Sequence, residues 1–106
     1  MKRSRINITQ VAEAALSIVD RDGLDALTLS NVADGLDVGP SALYTHVDGL
    51  GGLHYLVAVA ATGNLTNQVR NAAVGTAGDT ALAAMGTAYR SFALDHPGWF
   101  ASTLLP

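Results

Sequence analysis

Two short apolar-faced segments joined by a tight turn, lying between Thr28 and Val47, constrain this chain of 106 residues more than any other feature. The first segment, Leu29–Leu36, repeats Leu29, Val32, Ala33 and Leu36 at helical spacing. Thr28 is an N-cap by residue type, Asn31 stands at the third helical position, and Leu27 faces Val32 in the staple arrangement that flanks such caps. Asp37 occupies the turn, because a short polar side chain tolerates left-handed backbone better than most. Gly39-Pro40 opens the next segment, since proline at the first helical position gives up an N–H that would have no partner anyway. This segment is expected to be a helix over residues 40 to about 47. A longer amphipathic helix precedes both, with Asn7 as N-cap and Gln10 as its capping-box partner. Ile6 and Val11 take the staple positions, and Val11, Ala14, Ala15, Ile18 and Val19 form one apolar face up to the stop at Gly23. One helix followed by two short ones across a turn of about three residues is a helix-turn-helix pattern.

Beyond Asp48 the pattern remains helical. A fourth segment runs through Leu53, Leu56, Val57, Ala60 and Leu65 to about residue 73. Gly49, Gly51 and Gly52 crowd its start, and a glycine inside a helix costs about 1 kcal/mol relative to alanine, so fraying is expected there. Residues 74–78 read as a loop. A fifth segment, about 79–95, places Leu82, Met85, Tyr89, Phe92 and Ala93 on one face, and Pro97-Gly98 are expected to end it. Residues 99–105 read as the first turns of a sixth helix left unfinished, which suggests a truncated molecule. The strand signature is missing, so the chain is expected to be all-α. It divides into a three-helix head over residues 1–48 and the start of an incomplete helical ligand-binding domain over residues 49–106.

Apolar residues make up 49% of the chain and charged ones only 14%, a balance that builds a core rather than a disordered tail. The chain contains no cysteine, which excludes a disulfide scaffold and fits a cytoplasmic setting. Neither a signal peptide nor a bilayer-length apolar run is apparent. The formal net charge of −3 argues against a polyanionic partner, but the distribution of charge argues for one. Three of the six cations, Lys2, Arg3 and Arg5, fall within the first five residues. From Ile6 to Val47 the single cation is Arg21, against Glu13, Asp20, Asp22, Asp25, Asp34 and Asp37. The basic arm is therefore the strong electrostatic handle on nucleic acid.

Together, Ala26-Leu27-Thr28-Leu29, Val32-Ala33, Val38, Pro40 and Leu43-Tyr44-Thr45-His46-Val47 resemble the N-terminal domain of the tetracycline-repressor (TetR) family. The stretches 14–24 and 88–98 continue the likeness, the second resembling the branch with a WHG-type ligand domain. The resemblance covers nearly the whole chain. It implies a ligand-responsive regulator, usually a repressor, whose homodimer places two recognition helices in successive major grooves of a pseudo-palindromic operator on double-stranded DNA. A small-molecule effector bound in the body would change the spacing of the heads, and no cofactor is implied. By this resemblance Thr28 is a phosphate-contacting helix cap. Tyr44 and His46 contact the backbone, and Gly39, Pro40, Ser41, Ala42 and Thr45 face base edges. Ser41 and Thr45 offer hydrogen bonds, and Ala42 offers contact with a thymine methyl. The chain departs from the family at Asp37, Val47, Leu50, Gly51 and Gly52; Leu50 stands where many members carry a lysine.

Plainer readings stand beside these. Val47 is read as core, and Tyr44 as either core or phosphate contact. His54 and His96 have no partner at metal-ligand spacing and read as structural or solvated, so no metal is expected. Asp20, Arg21, Asp22 and Asp25 read as a solvated helix end. Tyr89, Trp99 and Phe100 are candidates for lining an effector cavity, while Phe92 reads as core. No nucleophile elbow, phosphate-binding loop or zinc-protease signature appears, so the chain is not read as an enzyme. A helix-turn-helix module making protein contacts without specific DNA binding is the alternative. If the basic arm anchors the chain on DNA, deleting residues 1–5 is expected to weaken binding to every duplex alike and to flatten the salt dependence. Anisotropy titrations in a salt series check this, and an unchanged slope would remove the arm from the interface.

Overall fold

Asn7 sets the start of the first helix by satisfying both halves of its capping box. Its Oδ1 accepts from the Gln10 N–H at 2.9 Å, and the Gln10 side chain accepts from the Asn7 N–H at 2.9 Å. Helix α1 then spans Ile8–Asp22. It stops at Gly23, whose φ of 90° and ψ of 171° suit a residue without Cβ, and whose N–H bonds the Val19 carbonyl at 2.9 Å. This computed structural model describes residues 6–104. After a 3₁₀ turn, Leu24–Ala26, come α2 (Leu29–Leu36) and a 3₁₀ segment, Pro40–Thr45. Helices α3 (Gly49–Ala73), α4 (Gly78–Asp95) and α5 (Pro97–Thr103) follow. The described residues contain no strand, and the fold is all-α with a helix-turn-helix.

One continuous core holds the first half together. Val11, Ala15, Ile18 and Val19 of α1 meet Leu27, then Val32 and Ala33 of α2, then Leu43 and Val47, and finally Leu53 and Val57 of α3. These are the faces that the helical spacing marks out, with Val47 in the core as expected. Ile6, Leu29, Leu36 and Trp99 pack around the rim. The first two and a half turns of α3, about as far as Val57, thus finish the packing of the preceding helices. The rest of α3, a rod of about 37 Å in all at 1.5 Å per residue, runs on to pack against α4 and α5. The molecule is accordingly elongated, 54 × 27 × 21 Å.

Two expectations are corrected. The segment expected as a helix to residue 47 is a 3₁₀ segment ending at Thr45, with bonds from the Ala42 N–H to the Gly39 carbonyl (3.1 Å) and from the His46 N–H to the Leu43 carbonyl (2.8 Å). Six residues between two turns are too few for a settled α-helical ladder, and the tighter i→i+3 pattern serves short pieces. The glycines at residues 49, 51 and 52 lie within α3, which begins at Gly49. Gly52 donates to the Asp48 carbonyl at 3.1 Å, and its bare Cα lies close over Val47 and Asp48. Finally, α4 ends at Asp95, just ahead of Pro97-Gly98 as expected, but the last helix does not wait for Trp99 to begin. Pro97 is instead the first residue of α5, where its missing N–H is not needed.

Gly98 has a packing role. A Cβ placed there would lie 2.7 Å from both the Val19 carbonyl oxygen and the Val19 Cγ1, so α5 meets α1 backbone to backbone. Gly98→Ala is expected to destabilise the chain by about 1–3 kcal/mol, the usual range for overpacking a filled contact. Urea unfolding measures this, and no shift of the midpoint would mean that the contact is slack.

Candidate nucleic-acid interface

The 3₁₀ segment has one face inside the molecule and one outside. Leu43 is completely buried and Val47 is 8% exposed, which anchors the segment in the core. Gly39, Pro40, Ser41 and Thr45 are exposed, Tyr44 is 59% exposed, and Ala42 and His46 are half-buried. Tyr44 is therefore not a core residue. The exposed positions form a short polar and aromatic ridge on the first half of the molecule. The Thr45 hydroxyl donates to the Ala42 carbonyl at 3.1 Å, which holds its side chain against its own backbone. Gly39 is extended (φ −77°, ψ 154°), with nothing within 4 Å of a Cβ built there, so open space adjoins the ridge.

Helix α2 leads into this ridge. Thr28 Oγ1 accepts from the Asn31 N–H at 3.0 Å, closing one of the first-turn amides. The Asn31 side chain turns away from the cap and donates its Nδ2–H to the Ala26 carbonyl at 2.8 Å, stitching α2 to the preceding 3₁₀ turn. Asp37 ends the helix in the left-handed region (φ 58°, ψ 45°), with its N–H on the Asp34 carbonyl at 3.2 Å; the Val38 N–H reaches the Ala33 carbonyl at 3.0 Å. This sharp reversal lets eight residues of α2 and six of the 3₁₀ segment share one core.

The electrostatics of the described part of the head are acidic. Arg21, the one cation between residues 6 and 48, is paired with Asp22 at 2.9 Å in the open. Asp22 and Asp34 line a polar cleft of about 540 Å³ between α1 and α2, together with Ser17, Arg21 and Asn31. Arg3 and Arg5 lie outside the described residues. Among the described residues no group of three His, Cys, Asp or Glu could hold a metal ion, and no helix is long and apolar enough to cross a membrane.

The aromatic candidates for an effector cavity divide between two contacts. Tyr89 and Phe100 meet edge to face at 5.5 Å between α4 and α5. Trp99 turns toward α1, where its Nε1–H donates to the Leu16 carbonyl at 2.8 Å. An apolar groove of about 460 Å³ lies between α3 and α4, lined by residues such as Leu65, Val69 and Met85, and it includes none of the three. One expectation changes here as well. Of its two readings His96 takes the structural one, and Asp20 does not belong to a purely solvated helix end. His96 Nδ1 and Asp20 Oδ1 are 2.8 Å apart across a sequence separation of 76 residues, a juxtaposition without any local sequence signal.

The chain is 31% identical over 103 residues to YobS, an uncharacterised HTH-type transcriptional regulator of Bacillus subtilis strain 168, covering 95% of this chain and 54% of that protein. It is 32% identical over 99 residues to Rv0681, an uncharacterised HTH-type transcriptional regulator of Mycobacterium tuberculosis H37Rv, covering 93% and 45%. The chain thus spans about half the length of the curated relatives it matches. No family model matches it. Over nearly its whole length the chain is similar to helix-turn-helix transcriptional regulators.

Because Thr28 caps α2 and stands at the entrance to the ridge, Thr28→Ala is expected to cost about 1 kcal/mol of stability, the usual loss for an N-cap. Thermal unfolding measures this. An unchanged midpoint would mean that α2 is held by packing alone.

Proposed function

We propose that this chain is the DNA-binding head and the first part of the regulatory body of a transcriptional regulator of the tetracycline-repressor type. The observation that carries the reading is the helix-turn-helix, in which Leu43 and Val47 are buried while Ser41, Tyr44 and Thr45 stand outside on the segment that follows the turn. Such a segment enters the major groove, where hydroxyl and apolar side chains read base edges. In this reading Gly39, Pro40, Ser41, Ala42 and Thr45 face the bases. Tyr44, His46 and the free amides at the N-terminus of α2 around Thr28 hold phosphates, and Arg3 and Arg5 supply the long-range attraction. The similarity to two helix-turn-helix regulators supports the same class.

The finer features follow from the resemblance. The regulator acts as a repressor, binds a pseudo-palindromic operator as a homodimer, and releases it when a small molecule enters the body. Helix α3 belongs to both parts, since Leu53 and Val57 sit in the core of the head while its later turns pack on α4, and it is the natural lever between them. The acidic charge of the head and the polar cleft beside Asp22 and Asp34 favour a second reading, a module that contacts a basic protein partner without specific DNA binding.

Fluorescence anisotropy with duplexes selected from random sequence separates the two readings. A DNA regulator is expected to show an affinity that falls steeply with salt. Ser41→Ala and Thr45→Ala should then shift base preference by the low end of about 1–3 kcal/mol per contact, whereas Thr28→Ala should weaken all sequences evenly. The absence of duplex binding at low salt would favour the protein-contact module. Binding with unchanged base preference in both ridge variants would move recognition off this segment.

A further inference from the structure

The joint between α5 and α1 is built more closely than the packing of two short helices requires. Three nearly consecutive residues at the start of α5 grip one turn of α1. His96 Nδ1 lies 2.8 Å from Asp20 Oδ1. Gly98 lies against the Val19 backbone, with no room for a Cβ. Trp99 donates its indole N–H to the Leu16 carbonyl at 2.8 Å. Leu16 and Asp20 are four residues apart and therefore stacked on one face of α1. The His96 and Trp99 rings stack in parallel, with centroids 4.0 Å apart and planes 8° apart, so the two polar contacts are held by one aromatic plate. Behind the plate is Phe92 of α4, fully buried, with centroids 5.7 Å from His96 and 6.1 Å from Trp99.

We propose that His96, Gly98 and Trp99, closing on Leu16, Val19 and Asp20, form a latch that makes the helix-turn-helix head and the α4–α5 body open and close as one unit. The latch acts at the opposite end of α1 from the Asn7 cap, and α3 already joins the two parts covalently. With both attachments in place, the head has a fixed orientation on the body. A hydrogen bond at 2.8 Å is lost within a fraction of an ångström of sliding, and the Gly98–Val19 contact has no slack for rotation. A displacement of the α4–α5 elbow must therefore either carry α1 with it or open the joint outright, and two discrete arrangements are what a transmitting element needs. In opening, the partly buried indole N–H loses its acceptor, which favours the closed form. Val19 belongs to the same core as Leu43, so movement of α1 reaches the segment beneath the exposed ridge. Only this last consequence rests on the proposed function; the coupling itself does not.

Hydrogen exchange followed by mass spectrometry on the chain without DNA tests the latch. Trp99→Phe keeps an aromatic ring and removes the donor. Asp20→Ala removes the carboxylate at a site that is a third exposed, where folding should survive, and Asp20→Asn restores a polar partner. Both Trp99→Phe and Asp20→Ala are expected to speed exchange by about fivefold, the equivalent of one hydrogen bond, in α1 and α5 together. The C-terminal half of α3 should remain at the wild-type rate, and Asp20→Asn should recover most of the protection. Unchanged exchange in α1, or acceleration spread evenly into the C-terminal half of α3, would overturn the proposal. If the wild-type chain bound no duplex while the exchange pattern held, the DNA reading would fall and the latch would stand.

Discussion

Burial of Leu43 is the contact on which the outer surface of this molecule depends. The 3₁₀ segment that carries it has six residues and few internal hydrogen bonds, so it has little stability of its own. What holds it is the insertion of Leu43, and of Val47 after it, among Val19, Val32, Ala33 and Leu53. A fully buried leucine contributes on the order of 2–5 kcal/mol by comparison with alanine. The exposed side chains on either side inherit their positions from that anchor, and a ridge able to read DNA is preorganised to the extent that its buried neighbours cannot move.

The same economy explains why head and body are not separate folding problems. The core of the head is completed by residues of α3, and its rim by Trp99 of α5. A three-helix unit of fewer than 50 residues buries too little apolar surface to be comfortably stable alone. Leu53 and Val57 of the long helix and Trp99 beyond it supply the missing area. In the proposed latch, stability and communication arise from one set of contacts.

The charge distribution has a comparable logic. The described head is acidic, and its one cation is paired with its neighbour in solvent, where such a pair contributes little. In the proposed reading, attraction to a polyanion comes from the arm and from backbone amides at helix starts, and the ridge adds discrimination. Separating affinity from discrimination in this way follows from contacts to phosphate positioning a protein while contacts to base edges specify the sequence.

Much was legible in the sequence because its signals are local. The caps at Asn7 and Thr28, the stop at Gly23, the left-handed turn at Asp37 and the helical repeat of Val11, Ala15, Ile18 and Val19 each depend on residues within one or two turns of one another. Backbone hydrogen bonding and the 3.6-residue period decide them without reference to the rest of the chain. The outward positions of the segment after the turn were expected only through the family resemblance, since its own residues left Tyr44 open between core and surface. Three things were decided only by the tertiary structure. The third segment settled as a 3₁₀ piece of six residues, although its composition suits an α-helix equally well. Proline and glycine at positions 97 and 98 began a helix instead of only ending one, because the absence of a Cβ at Gly98 lets α5 reach the backbone of α1. The pairing of His96 with Asp20 and of Trp99 with Leu16 spans 76 and 83 residues. No periodicity or spacing connects such positions; they meet only after α3 and α4 have folded back along each other, and the distance between them is a property of that packing alone.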